Sequence, residues 1–445
     1  MAEDVAGEER RIPAFRQAPE WRRAMLPSIL LAIALIYPLL ISQLLTGDFL
    51  HPADFNGQIN VEASGANRLN QAFWLLLFVS CAAAALMRRT RLGAQAVALW
   101  PLFLYLAWSV ATLAWAVDPH VASRRLALQF CIVGAIWLPV AMIGSPTRVR
   151  RVVLYVLFYI VLLNALGIAV IERTALGYAG IFGQKNALGA VTALGLVTFL
   201  ASLSARSQMD RIIALIGVPL AAFLLVYSRS KTSFILGLIV PALVYTIWFA
   251  ARTLRIRPSY LVSTGMIFGF FVVAIFFGGG LRYQDVLTTF FHDATFTGRT
   301  EIWSFAWSNI VLKPYAGYGF NGFWGVGGGS AAMSSNNSLL VNILQSHNGY
   351  LDTLLETGFV GLGILVCFIT VTVGHCSRLL RSDPANGAFC LSVAIFFMLH
   401  NFEESSAFRR FEPTWVIFLV AAATVAAAVR ARRTAPSPQL AWSPA

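Results

Sequence analysis

Charge is scarce in this sequence: only 12% of its 445 residues are Asp, Glu, Lys or Arg. A soluble domain carries about 25%, so a fully hydrated surface is excluded. Cysteine is scarce too. Cys81, Cys131, Cys367, Cys376 and Cys390 fall in apolar runs or on the side of the basic loops. No outer disulfide follows from them, and no C-x-x-C or Cys/His spacing offers a zinc site. No G-x-x-x-x-G-K-[ST] stretch occurs, so there is no P-loop. The absence of Asp-x-Asp removes the usual metal clamp for a nucleotide-sugar donor. The opening MAEDVAGEERRIPAFRQAPEWRR is not a signal peptide, because it carries acids and the apolar run after it is too long.

Apolar length is what the chain has. It is 58% hydrophobic with a mean hydropathy of +0.70. Runs of about 20 residues, enough to cross a bilayer as helix, recur throughout. Lipid offers backbone groups no partner, so helices are the default. The sequence therefore predicts an all-α polytopic membrane protein. About twelve spans are expected, near 26–46, 70–87, 93–117, 126–144, 152–172, 186–204, 212–227, 232–251, 259–279, 352–373, 386–401 and 412–429. One membrane domain, 26–430, would follow a cytoplasmic segment, 1–25, and precede a disordered cytoplasmic tail, 431–445.

Arginine placement orients it. With residue 1 inside, the inner segments hold 21 of the 33 Lys and Arg residues, as the positive-inside rule requires. The net charge of +13 then reflects topology and contact with anionic membrane lipids. Basic residues scattered over alternate loops do not make a nucleic-acid surface. One loop is long: 280–349, expected on the outer side. Within it TEIWSFAWSNIVL (300–312) reads as a short interfacial helix with Trp303 and Trp307 one turn apart.

Several basic residues break the charge bias. GIFGQKNALG places Lys185 and Asn186 at the outer start of the sixth span. SRSKTS places Arg229 and Lys231 at the outer start of the eighth, with Thr232 or Ser233 able to cap. Free N–H groups and a positive dipole end make such helix starts receptive to anions. The bland alternative is snorkelling to lipid headgroups. Two such sites on one membrane side favour a diphosphate clamp. Arg282, and Arg299 in TGRTEIW, add guanidinium forks suited to phosphate, or to pairing with Glu301 or Asp293.

GYGFNG (317–322) matches G-x-G-x-x-G, but no strand precedes it and no βαβ unit surrounds it. It reads as a turn-rich segment, not a dinucleotide site. SHNGYLDTLLETG (346–358) puts His347 at the outer start of the tenth span. Imidazole suits general-base work near neutral pH. A lone interfacial histidine is more often structural, but this one shares a face with the basic sites. Asn348, Asp352 and Glu356 would fix its tautomer or bind hydroxyls. HNFEESSAFRR adds Glu403, Glu404 and Arg409 on the same side, as sugar contacts or arginine partners.

The pattern H-N-x-x-L-x(6)-G, carried by His347, Asn348, Leu351 and Gly358, resembles the O-antigen ligase and O-antigen polymerase superfamily. GQKN, SRSKTS, TGRTEIW and PYAGYGFNGF resemble family positions in the same order, from about Gly180 to Glu404. SRSKTS with GQKN and HNFEES looks closer to the exopolysaccharide polymerases. The resemblance implies a GT-C-like fold in the bacterial inner membrane, with its active site facing the periplasm. It implies a polyprenyl-diphosphate-linked oligosaccharide donor, a glycan or lipid-linked acceptor, and transfer without metal or other cofactor. His347 would be the catalytic histidine. Lys231 or Arg229, with Arg299, would hold the diphosphate, aided by Lys185 and Arg282. Asn348, Asp352, Glu403 and Glu404 would contact glycan or orient the histidine. Other glycan-export proteins would be natural partners. The rival readings are an O-antigen ligase acting on lipid A-core, a secondary transporter, and a non-catalytic scaffold of an export system.

Overall fold

The computed structural model describes residues 20–46, 66–278, 299–325, 343–409 and 412–434. They are helical apart from turns and an isolated bridge between Thr174 and Gly177. Each of the twelve expected segments falls on a helix. In chain order these are α1 (Glu20–Ile36, running on through a π-helical turn, Tyr37–Ile41, to Thr46), α2 (Ala66–Met87), α3 (Gly93–Ala98) and α4 (Trp100–Thr112). Then come α5 (Pro119–Ile143), α6 (Pro146–Leu166), α7 (Lys185–Ser202), α8 (Gln208–Ser228), α9 (Lys231–Thr253) and α10 (Pro258–Gly278). The short α11 (Arg299–Leu312) precedes α12 (Gly349–Ser382), α13 (Pro384–His400) and α14 (Pro413–Thr434). Among the described residues, eight helices are long and apolar enough to cross a membrane, and three apolar helices are shorter. The chain is a multi-pass membrane protein.

Helix starts follow local chemistry. Asp118 caps α5, Ser145 caps α6 and Ser207 caps α8, each side chain accepting from a backbone N–H one turn in. Proline sits at the first turn of α4, α5, α6 and α13, where its missing N–H costs nothing. The expected span 93–117 is broken at Leu99, just before Pro101, into α3 and α4.

Burial sorts the helices. From Trp415 to Ala427 nearly every residue of α14 is buried, and α13 is buried along most of its length. Alanines 421, 422, 423, 426 and 427 let neighbouring backbones approach α14 closely. On α8 and α9, by contrast, Leu215, Val226, Leu238 and Tyr245 stand exposed, as a lipid-facing surface requires.

The expected span 352–373 lies within one apolar helical path that is kinked. The helical path runs from Gly349 to Ser382, but Gly358 interrupts it with φ 66° and ψ −171°. The break frees backbone groups, and the GYGFNG segment takes them up. Tyr318 N and Gly319 N donate to the carbonyls of Leu355 and Glu356 at 2.8 and 2.9 Å. The Phe359 amide donates to Pro314 O at 2.8 Å. Trp108 Nε1 donates to Thr357 O at 3.0 Å, and Trp115 Nε1 to Ala316 O at 3.2 Å. Carbonyls orphaned in an apolar region would be costly, so this clasp is what permits the break. A side chain at 358 would stand 2.1 Å from the Tyr315 backbone. Residues 349–357 therefore form a helical segment of their own, set off from the rest of α12 by the kink at Gly358 and lying against the loop.

Candidate active site

His347 lies immediately before α12 in the left-handed region, φ 54°. Asn348 is the N-cap, its Oδ1 accepting from Tyr350 N and Leu351 N at 3.1 Å each. That fixes the imidazole's direction. His347 Nδ1 sits 3.0 Å from Glu404 Oε2. The other carboxylate oxygen, Oε1, accepts from Arg299 at 2.9 Å and from Asn186 Nδ2 at 2.9 Å. Arg299 also donates to Glu403 Oε2 at 2.9 Å. Residues from α7, α11, the start of α12 and the loop after α13 thus meet around one carboxylate.

Burial pushes the Glu404 carboxyl up, but the hydrogen bond from His347, with the charge of Arg299, outweighs it. The net effect holds Glu404 below the ordinary carboxylate range. Glu403 goes the other way: burial raises it, and Arg299 only partly opposes that.

The acids of α12 are engaged differently from expectation. Asp352 is buried and accepts from Trp324 Nε1 at 2.8 Å, Ser346 N at 3.0 Å and Arg409 at 2.6 Å. Arg409 also approaches Glu356 Oε1 at 3.5 Å and Asn321 Oδ1 at 3.4 Å. Asp352 and Glu356 therefore brace the loop beneath His347, while its Nδ1 partner is Glu404. Arg125, which the sequence did not single out, donates to the carbonyls of Asn321, Trp324 and Gly325 and closes the same turn.

The basic residues lie beside this cluster. Asn186 Oδ1 accepts from Ser230 Oγ at 3.2 Å, which ties the start of α7 to the start of α9. The N-cap of α9 is Ser230, not Thr232 or Ser233, and its hydroxyl faces Asn186 and Ser233 instead of capping. Gln184 gives α7 no side-chain cap either. Among the described residues neither helix start has a side-chain N-cap on its first amides. Lys185, Lys231 and Arg229 lie within electrostatic reach of one another, with Arg229 and Lys231 exposed. Lys185 Nζ donates to Leu176 O at 3.1 Å. Arg282 lies outside the described residues.

A polytopic helical membrane protein with a clasped loop helix and a histidine–carboxylate pair at one end is the class so defined. Residues 215–366 match the family model described as O-antigen ligase. The chain is also 26% identical over 309 residues to the exopolysaccharide production protein ExoQ of Rhizobium meliloti (strain 1021), covering 66% of this chain and 69% of that protein. Both matches support membership of the O-antigen ligase and O-antigen polymerase superfamily.

Proposed function

We propose that this protein is a metal-independent glycosyltransferase of the bacterial inner membrane. It transfers or polymerises polyprenyl-diphosphate-linked glycan repeat units on the periplasmic side, in exopolysaccharide synthesis. The observation that carries this reading is the 3.0 Å pairing of His347 Nδ1 with Glu404, itself held by Arg299 and Asn186. An ionised Glu404 keeps the imidazole proton on Nδ1 and leaves Nε2 free as a base.

The chemistry follows from that tautomer. An acceptor hydroxyl gives its proton to Nε2 as its oxygen bonds to the anomeric carbon. The bond from that carbon to the diphosphate oxygen breaks, and the diphosphate leaves with the electron pair. Lys185, Arg229 and Lys231, with the N-terminal turns of α7 and α9, stabilise the charge that grows on it. Two of the five donors of Arg299 are occupied by carboxylates, so its main task is to hold Glu404 in place.

His347→Ala tests the reading, through in vitro transfer from a polyprenyl-diphosphate glycan. A positioned base contributes about 10²–10⁴-fold, so product should vanish from a gel while the protein stays folded and binds donor. A folded variant with near-normal product would overturn the catalytic role. Attachment of glycan to lipid A-core is the second reading, favoured by the O-antigen ligase description of the matched region. The acceptor that is labelled separates the two: a ladder of free polymer supports the first, a shifted lipid A-core band the second.

A further inference from the structure

A line of hydrogen bonds runs from the His347–Glu404 pair to the start of α9. Glu404 Oε1 accepts from Asn186 Nδ2 at 2.9 Å, and Asn186 Oδ1 accepts from Ser230 Oγ at 3.2 Å. Ser230 Oγ also lies 3.0 Å from Ser233 Oγ. The direction is fixed throughout. An ionised carboxylate only accepts, so Asn186 presents its NH2 to Glu404 and its oxygen to Ser230. The one proton of Ser230 then goes to Asn186, and Ser233 donates to Ser230. Aligned bonds of this kind strengthen one another away from bulk water, and both serines are buried.

Two features set this line apart from an ordinary polar tie between helices. Ser230 is the N-cap residue of α9, where a serine hydroxyl usually accepts from an amide of the first turn. It makes no such bond and turns to Asn186 instead. The facing helix also leaves room for it. A Cβ at Gly189, one turn after Lys185, would stand 2.6 Å from Ser230 Cβ and 2.9 Å from its Oγ.

The line joins the two halves of the chemistry. His347 and Glu404 belong to the start of α12 and the loop after α13. Ser230 lies in the chain between Arg229 and Lys231. Base and leaving-group cations must keep one spacing, because small misplacements cost rate steeply. We propose that Asn186 and Ser230 are positioning residues for transfer: Asn186 holds Glu404 against His347, and Ser230 holds Asn186, which keeps Arg229 and Lys231 in register with the base. This role belongs to the glycosyl transfer proposed above, with His347 as the base and those cations facing the diphosphate.

The test measures kcat and donor KM of the full-length protein in detergent, with a polyprenyl-diphosphate glycan as donor. Asn186→Ala should lower kcat by about 10–100-fold with donor KM little changed, the effect of losing one hydrogen bond to a charged group. Ser230→Ala, which loses a neutral one, should lower kcat by about 3–10-fold. Each loss should appear only while its partner is in place. Asn186→Ala should therefore add little in a Glu404→Gln background, and Ser230→Ala little in an Asn186→Ala background. Thermal unfolding checks that each variant folds. If Asn186→Ala does not, Ser230→Ala in the Glu404→Gln background makes the same comparison. Additive losses in the double variants, near-normal kcat in either folded single variant, or a raised donor KM with kcat intact would overturn the positioning role, and that role alone if His347→Ala and Glu404→Gln are impaired. Normal transfer by Glu404→Gln would remove the pairing with the base, and this proposal with it.

Discussion

His347 and Glu404 are 57 residues apart in the chain and 3.0 Å apart in space. Histidine in an H-N-x-x-L-x(6)-G pattern was legible from the sequence, and so was a family of acids after α13. Which acid faces Nδ1 was not, because nothing local sets that contact: Asp352 and Glu356 are nearer in sequence and are turned toward Arg409. Glu404→Gln keeps the shape and removes the charge. It should lower transfer by about 10²-fold or more, with donor affinity unchanged in a binding assay, since the proposed diphosphate contacts, Lys185, Arg229 and Lys231, lie elsewhere. Acid should act on the same pair. The folded pKa of Glu404 is below its ordinary value, so its contribution to stability is present above pH 4.5 and is lost as pH falls through the lowered value. Thermal unfolding of the native protein should weaken over that acid range more steeply than that of Glu404→Gln. Glu403 has the opposite sign: its folded pKa is raised, so its ionisation on raising pH above the ordinary carboxylate value costs stability.

The clasp around Gly358 explains why two motifs of the loop recur in one place. GYGFNG offers its amides to the carbonyls that the broken helix leaves open, and glycine at 317 lets the two backbones touch, while Gly319 makes room for Ala116. A sequence reading sees turn residues in the first segment and an apolar run in the second. It cannot see that one satisfies the other, because hydrogen bonds between distant backbones leave no residue pattern. Gly358→Ala should therefore destabilise the folded protein by roughly 2 kcal/mol or more, since its Cβ would meet the Tyr315 backbone at a positive φ. Gly363→Ala, in the same helix with nothing within 4 Å of an added Cβ, should be neutral or stabilising by up to about 1 kcal/mol. Unfolding midpoints in detergent compare them directly. Equal midpoints would show that the clasp does not constrain position 358.

The molecule has two polar ends. The one opposite His347 is built around buried Arg150, which donates to Asn386 Oδ1 at 2.9 Å and Ser202 Oγ at 2.7 Å. Arg151 and Tyr155 meet buried Asp210 there as well. Arg150→Met should cost roughly 3 kcal/mol, because it leaves Asn386 and Ser202 short of a partner, yet leave donor binding intact. The placement of basic residues along the sequence set the expectation of two unlike ends, one richer in arginine. How the helices pack between them was not legible, since α13 and α14 are apolar all round and their sequences do not say which neighbour each face meets. Orientation can be checked by labelling in a cysteine-free background. An impermeant thiol reagent added from the periplasmic side should modify Tyr315→Cys, which is exposed in the loop, and spare Ser204→Cys, exposed at the opposite end. The reverse pattern would invert the topology.

The order of the chain gives the His347 cluster a timing. His347 emerges during synthesis before α13 exists, whereas Glu404 and Arg409 follow that helix. A nascent protein whose loop is already complete still lacks the carboxylate that pairs with His347 and the guanidinium that holds Asp352. Neither can arrive until α13 has been made and packed. A chain stalled short of that step therefore holds an incomplete His347 cluster, and on the proposed function its transfer would be impaired until the last helices are in place.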